Sequence, residues 1–368
     1  MIIGVDVREG VREKRAGKGE YVRELVPRLI RDSQDKFVLF ADRHLPSDWR
    51  LDGQVRCVVF HLPPMLWQVA VLLYLEFIRP VDVYFSTTSL VVPALARSVP
   101  TVTTLFDFVS FLFPADHQRR ATILERIWMV PALRYASRLL AISGATKDDA
   151  VRLFGVPSTK ITVTHLASSL IATESAAWPL GPNAILFIGT LEPRKNLVRL
   201  INAFEKLRDE GITATLVLAG QWGWNSGAIQ AALESSPCRD EIKILGYIAP
   251  EQKGMLLRGA TVLAFPSLYE GFGLPPLEAM SVGVPVIASR TSSLSEVVGR
   301  AAITIDPNST AEIYEAIKKV LTDERLRHQL IEQGRARAQR FSWEQTAQLT
   351  LSALHQSAAR RVRSKGGR

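Results

Sequence analysis

The sequence predicts an α/β protein built as two parallel-sheet domains, each sheet covered by helices on both faces. Two observations predict it. Short, fully apolar runs alternate with helical stretches over residues 1–170, and the alternation restarts at residue 184; strands buried on both faces read as such unbroken apolar runs. Between the two series, ASSLIATESAAWPLGPN (residues 167–183) is small, polar and turn-rich, which reads as a linker. A chain of 368 residues is long enough for two such domains.

In the first series, strands are expected at 2–6, 37–40, 55–58, 81–85, 101–105, 138–142 and 161–164, and helices at 20–31, 67–78, 117–135 and 145–154. In the second, strands are expected at 184–188, 215–218, 242–245, 262–265 and 284–288. The expected organisation is a first domain over 1–170, a linker over 171–183, a second domain over 184–340, and a final helix with a basic tail over 341–368 that packs back on the first domain. Open parallel sheets bind ligands outside the carboxyl ends of their strands, where the strand order reverses. Two such domains face to face create one deep cleft.

Composition narrows the function classes. Hydrophobic residues make up 47% and charged residues 22%, so the chain is globular and not disordered. Cys57 and Cys238 are far apart and form no CxxC, which suggests neither a disulfide framework nor a zinc site; two buried or half-buried thiols in a reducing cytoplasm are expected. MIIGVDVREG lacks the basic start and apolar run of a signal peptide. The most apolar stretch, WQVAVLLYLEFI (residues 67–78), falls short of the ~20 residues that a spanning helix needs. It reads as a core helix or as a helix facing a membrane surface.

Net charge is +9, with the surplus in residues 1–170 and in the tail residues Arg360, Arg361, Arg363, Lys365 and Arg368. Such a pattern suits an anionic lipid surface or an acidic glycan. There is neither a base-reading basic helix nor an RNP-like aromatic strand, so a nucleic-acid partner is not expected.

Three segments carry chemistry. In PSLYEGFGLPPLEAMSVGVPVIAS (residues 266–289) a strand runs into the turn Gly271-Phe272-Gly273, and Pro275 and Pro276 open a helix where their missing N–H groups cost nothing. A helix start at a strand's carboxyl end favours phosphate. Glu270 and Glu278 flank the turn, and Glu278, in the first helical turn, can accept hydrogen bonds from vicinal hydroxyls. In FIGTLEPRKN (residues 187–196), Arg194 and Lys195 follow a strand; the planar fork of Arg and the point charge of Lys suit a diphosphate. In AGKGEYVREL (residues 16–25), Gly17 and Gly19 look like a phosphate loop, but Val22 replaces the third glycine of the dinucleotide fingerprint, so no dinucleotide cofactor is expected.

Together these segments resemble the retaining glycosyltransferases of family 4 (glycosyl transferases group 1). Glu270 to Glu278 is similar to the family's E-x7-E signature, EPRKN to its basic diphosphate loop, AGKGEY to its glycine loop, AISGATKDDA to its S-x-x-[ST] segment and FSWEQTA to its last helix. The resemblance is dense over 184–345 and thinner over 1–170. It implies the GT-B fold: two Rossmann-like domains facing across a cleft, the first for the acceptor and the second for a nucleotide sugar. SLYEGFGLPPLEAM is closest to the branch of bacterial mannosyltransferases of O-antigen and capsule assembly, which implies GDP-mannose or a similar GDP- or UDP-hexose donor and a glycan or lipid-linked acceptor.

Carried over, Arg194 and Lys195 would hold the donor diphosphate, Glu278 the ribose, and Glu270 the sugar. Phe272, Gly273 and Leu274 would give backbone contacts, Gly17 and Gly19 would lie near the phosphate, and Ile248 beside the base. One departure stands out. The family reads T-x-H-D where this chain reads Thr104-Leu105-Phe106-Asp107, so Phe106 replaces a His that usually bonds the donor sugar.

Charge growing on the departing diphosphate would be met by Arg194, Lys195 and the helix start. No D-x-D pair stands at a strand end, so no metal is expected, and the family implies retention. A covalent role for Glu270, by analogy with glycosidases, is the alternative mechanism. The rival functions are an epimerase or phosphorylase on the same fold, or a binding module whose lost catalysis Phe106 marks. The expected location is the cytoplasm, at the inner face of the cytoplasmic membrane.

Overall fold

The computed structural model describes residues 1–12, 17–46, 49, 54–78, 81–113, 119–170 and 176–366. The first sheet contains β1 (Ile2–Asp6), β2 (Lys36–Ala41), β3 (Val55–Val59), β4 (Val83–Ser86), β5 (Thr101–Leu105), β6 (Arg138–Ala141) and β7 (Ile161–Val163). Its order is β3-β2-β1-β4-β5-β6-β7, parallel throughout. The connecting helices are α1 (Gly17–Arg31), α2 (Pro64–Leu73) running into a π-helical turn at Tyr74–Ile78, α3 (Val91–Leu95), α4 (Val109–Leu112), α5 (Arg119–Tyr135) and α6 (Gly144–Phe154).

The second sheet contains β8 (Ile185–Ile188), β9 (Leu216–Ala219), β10 (Ile242–Gly246), β11 (Val262–Phe265), β12 (Val286–Ser289) and β13 (Ile303–Ile305), in the order β10-β9-β8-β11-β12-β13, again parallel. Its helices are α7 (Leu197–Asp209), α8 (Gly227–Ser235), α9 (Pro250–Arg258), α10 (Leu274–Ser281), α11 (Ser292–Val298), α12 (Thr310–Thr322) and α13 (Glu324–Ala338). The central strands β4, β5, β8, β9, β11 and β12 are buried at every residue. That burial on both faces is why most of them read as nearly continuous apolar runs; β5, TVTTL, is the exception.

The chain divides into two compact units. The first takes Met1–Leu112, Arg119–Leu166 and Ser342–Arg368; the second takes Phe113–Gln118 and Ala167–Phe341. The final helix, α14 (Trp343–Gly366), therefore belongs to the first unit. It packs on α1, where Arg28 donates to Glu344 at 2.9 Å and the Tyr21 and Trp343 rings lie 6.2 Å apart. His355 meets Asp35 at 2.7 Å beyond the end of α1.

The unit boundary falls before Ala167, ahead of the expected linker at 171–183, and residues 171–175 of that linker lie outside the described residues. So do Arg368 and the side chains of Arg360, Arg361, Arg363 and Lys365 in the basic tail. Cys238 is buried, but Cys57, expected to be buried or half-buried, is exposed: it lies on β3, the edge strand, which has a neighbour on one side only. No helix among the described residues is long and apolar enough to cross a membrane.

Candidate functional site

In the second sheet the strand order reverses between β8 and β11. A parallel doubly wound sheet opens its ligand crevice at that point, beyond the carboxyl ends of the two strands. The two loops that leave those ends carry Arg194 with Lys195, and Glu270 with the Gly271–Gly273 turn.

The β8 loop ends in a single 3-10 turn, Pro193–Lys195. Asn196 then takes a left-handed conformation with φ 60°, which Asn tolerates better than most residues, and the α7 helix begins at Leu197. The Asn196 side-chain amide donates to the carbonyls of Pro266 (3.1 Å) and Pro307 (2.6 Å), while Leu268 N–H donates to the Arg194 carbonyl at 2.8 Å. These bonds tie the two loops into one piece.

Side chains complete the junction. Lys195 Nζ lies 2.6 Å from Glu270 Oε1, and Arg194 Nη1 lies 3.3 Å from Glu270 Oε2. Arg194 also donates to Glu192 Oε1 (2.6 Å) and to the Tyr269 carbonyl (2.5 Å). Lys195 and Glu270 are both buried. Burial pulls the Lys195 ammonium below its usual pKa. Burial pushes the Glu270 carboxyl upward, but the adjacent charges of Lys195 and Arg194 outweigh it and hold Glu270 below the usual carboxylate range.

The β11 turn is held from behind by the start of α11. Ser292 Oγ accepts from Glu270 N–H at 2.9 Å, and Ser293 Oγ donates to the carbonyls of Glu270 and Phe272 at 2.8 Å each. Gly273 sits at φ 105°, and a Cβ there would come within 2.7 Å of Leu294 Cδ2. The turn therefore needs glycine for backbone conformation and for space. Leu274 opens α10, with Pro275 and Pro276 in its first turn.

Glu278 was expected in that first turn. It is the fifth residue of α10, buried, with Oε1 2.7 Å from Lys253 Nζ of α9. Ile248 is half-buried in the loop between β10 and α9. So Arg194, Lys195, Glu270, Phe272, Gly273, Leu274, Glu278 and Ile248 all belong to the second unit.

Gly17 and Gly19 belong to the first unit and stand in a helix, not in a loop. Both lie in α1, which starts at Gly17 and not at residue 20. Tyr21, Val22, Leu25, Val26 and Leu29 form a buried stripe that commits the segment to helix, and Gly19 is buried with them. Ala16 lies outside the described residues.

In the first unit, Phe106 follows β5 directly. The Tyr21 ring meets it edge-on at 5.2 Å, and Lys18 Nζ stands 5.3 Å from its centre. Tyr21 OH and Thr104 Oγ1 are 3.0 Å apart. A small cavity of about 30 Å³ opens here, with Lys18, Thr88, Phe106, Asp107 and Glu125 in its lining. Ser143 and Thr146 of the S-x-x-T segment cap α6, Ser143 Oγ accepting from Thr146 N–H at 3.0 Å.

Several residues were missed in the sequence. Lys253 pairs with Glu278 across 25 positions, and nothing local announces it. Ser292 and Ser293 brace the turn from another element. Glu192 was in view, two residues before Arg194. At the order reversal of the first sheet, between β1 and β4, buried Asp6 pairs with Arg8 at 2.9 Å, and the Arg8 guanidinium lies 3.7 Å from the Trp67 ring centre. Among the described residues, no group of three or more His, Cys, Asp or Glu is placed to hold a metal ion.

Chemically, the second unit offers two buried or half-buried cations and a helix start at a sheet crevice, with a carboxylate on either side. Residues 16–167 match the family model described as Glycosyltransferase Family 4, and residues 171–337 match Glycosyl transferases group 1. O-antigen chain mannosyltransferase B of Escherichia coli is 35% identical over 267 residues, covering 68% of this chain and 69% of that protein. Longer mannosyltransferases of the same species match less of their own length; the chain spans 27% of one of them.

Among solved structures, sucrose-phosphate synthase from Thermosynechococcus elongatus superposes with a TM-score of 0.77 at 18% identity, covering 97% of this chain and 99% of that one. The Anabaena protein HepE in complex with UDP-glucose gives 0.74 at 20% identity, covering 96% of this chain and 100% of that one. The likeness to these structures is one of fold: two Rossmann-like α/β domains of the GT-B type.

Proposed function

The chain belongs to the family 4 glycosyltransferases, the glycosyl transferases group 1, and on that premise we propose that it transfers mannose from GDP-mannose to a glycan or lipid-linked acceptor in cell-surface polysaccharide assembly, with retention and without a metal ion. The observation that carries this reading is the buried Arg194–Lys195–Glu270 junction at the strand reversal of the second sheet. The name of the E. coli relative supports mannose, and family membership supports retention.

In this reading the second unit holds the donor and the first the acceptor. As the bond from sugar to phosphate breaks, charge grows on the departing nucleoside diphosphate, and preorganised positive groups lower the barrier in proportion to that growth. Arg194, held at 14% side-chain exposure between Glu192 and the Tyr269 carbonyl, is already oriented. Lys195 and the start of α10 add to the positive field. These groups supply the neutralisation that a divalent ion gives elsewhere, so no cofactor is required. Glu278 accepts the ribose hydroxyls, Ile248 borders the base, and Glu270 meets the sugar. Phe272, Gly273 and Leu274 contribute backbone.

A second reading rests on Phe106. An apolar ring in place of the family His suits a donor that carries a methyl where mannose carries a hydroxyl, so a deoxyhexose is the alternative donor. Thermal unfolding with a panel of GDP- and UDP-sugars separates these readings, since a ligand at 100 Kd stabilises by about 2.7 kcal/mol. GDP-mannose should raise the midpoint most, and GDP should be released only when acceptor is present. Release without acceptor would indicate another activity on this fold. Loss of turnover in a chelator would sink the metal-free mechanism.

A further inference from the structure

We propose that the first unit docks on an anionic lipid surface through the outer face of α2, the π-helical turn that continues it, and α5. The run from Pro64 to Ile78 is apolar on both sides. Its inner side is core: Trp67, Val71 and Leu75 are buried and cluster with Phe40, Tyr84 and Val92. Its outer side is a second apolar stripe at helical spacing, Leu66, Val69, Leu73 and Phe77, with Leu66 and Leu73 at least half exposed and Phe77 79% exposed. A helix that is apolar all round belongs in a core or against an apolar medium, and here the core takes one side only.

The α5 helix repeats the pattern. Met129, Ala132 and Leu133 are buried, while Ile123, Ile127 and Val130 are more than half exposed. The short α3 helix packs on both α2 and α5, and its Leu95 is exposed. Of the 16 large hydrophobic side chains exposed among the described residues, 12 lie between Leu62 and Tyr135. Exposed hydrophobics on a soluble surface are ordinarily scattered singly; a concentration of this kind marks an interaction surface.

Charge decides what covers it. The run Pro64–Ile78 has one charged side chain, Glu76, and its carboxylate accepts from the backbone N–H of Arg97 (2.7 Å) and Ser98 (3.0 Å). The α5 helix carries four arginines against one glutamate. Arg97, Arg126 and Arg134 are exposed. Arg97 lies 3.7 Å over the Tyr135 ring and Arg134 lies 5.6 Å from it, so cations stand among the apolar stripes and not apart from them. Apolar side chains that reach the acyl boundary, with arginines at the depth of the phosphates, are the layout of an interfacial helix. A second copy of this chain would bring the same arginines face to face, and a neutral apolar partner would leave them without counter-charge.

The inference goes beyond the catalytic reading and does not depend on it. The test is sedimentation of the full chain with vesicles of phosphatidylcholine alone and of phosphatidylcholine with phosphatidylglycerol. Binding should require phosphatidylglycerol and fall as salt rises. Phe77→Glu, at an exposed position, should keep the unfolding midpoint and weaken partitioning by at least about tenfold. Arg97→Glu with Arg134→Glu should weaken it by roughly 25-fold or more.

Absence of binding at low salt, or wild-type binding by the Phe77→Glu protein, overturns the proposal. So does a Phe77→Glu protein that loses a dimer in size-exclusion chromatography but still sediments with vesicles. Turnover of a soluble acceptor should be unchanged in Phe77→Glu. A wild type that binds vesicles yet turns over no sugar would count against the proposed function and leave the docking surface standing.

Discussion

At the scale of single residues, the site is a set of charges that hold one another in place. Arg194 and Glu278 are both proposed to meet the donor, but they meet parts that change differently. The ribose looks alike before and during reaction, so Glu278→Gln should mainly raise the donor KM. The diphosphate gains charge, so Arg194→Ala should lower kcat by roughly 10² or more. Equal small effects in steady-state kinetics would sink the assignment of both.

Glu270 carries a stability prediction. Glu270→Gln leaves the Lys195 ammonium buried beside Arg194 without its counter-charge, which costs about 3–5 kcal/mol. Glu270 titrates below its unfolded value of about 4.3. Its stabilising contribution is therefore present above that pH and is lost as pH falls through the lower folded value. Urea midpoints should show a gap between wild type and Glu270→Gln that is constant from neutral pH down to about 4.3 and closes below it, and a gap independent of pH would mean the ion pair is not its source. Phe106 carries the prediction about the donor. Burying a hydroxyl unpaired against its ring costs about 1–3 kcal/mol. Phe106→His should then raise kcat/KM for GDP-mannose relative to GDP-rhamnose, and an unchanged ratio would show that Phe106 does not face the donor sugar.

At the scale of elements, the turn before α10 is the part on which the others depend, because it sets where Glu270 and the helix start point. Gly273→Ala demands φ 105° of an L-residue and places a Cβ 2.7 Å from Leu294 Cδ2. A cost of roughly 1–3 kcal/mol is expected from strain. Adding Leu294→Ala removes the contact but not the backbone strain, so the double variant should recover only part of the loss specific to Gly273→Ala; full recovery in a double-mutant cycle would show that space alone requires glycine.

This turn was legible in the sequence because glycine, two prolines and both acids fall in one short stretch. Strands β1, β5 and β11 were legible to the residue, β1 and β11 as mainly apolar runs with polar or turn residues at their ends and β5, TVTTL, through its β-branched residues. Elsewhere neighbours decided. The β12 strand was read at 284–288 but begins at Val286, past Pro285, whose missing N–H keeps it out of the ladder. The β13 strand has three residues and no pattern to detect. Gly17 and Gly19 suggested a loop because glycine is a poor helix former, yet the buried stripe from Tyr21 onward holds them in α1. The Glu278–Lys253 pair is made by two elements meeting in space, which no local pattern records.

At the scale of the whole molecule, the order of the chain and the order of the fold differ, and that difference is testable. The α14 helix, which follows the second unit in sequence, is part of the first unit. Trp343, Ala347, Leu351 and Leu354 are buried on its inner face, which packs on α1 and on β4, β5 and β6. The Arg28 hydrogen bond holds the Glu344 carboxyl down to about 2, so that link stays charged over the physiological range. Ending the chain after Phe341 removes all of this from the first unit and nothing from the core of the second. At about 1.5–3 kcal/mol for each large buried side chain, the loss approaches the roughly 5–15 kcal/mol that holds an entire domain. The second unit keeps both loops of the proposed donor site, because Arg194, Lys195, Glu270 and Glu278 all lie between Ala167 and Phe341. In the chain ended at Phe341, hydrogen exchange should lose protection in β1, β4 and β5 and keep it in β8, β9 and β11, and GDP should still raise the remaining unfolding midpoint. Loss of protection in both sheets together would show that the second unit cannot stand without the first, and the donor site would then belong to the molecule as a whole and not to one sheet.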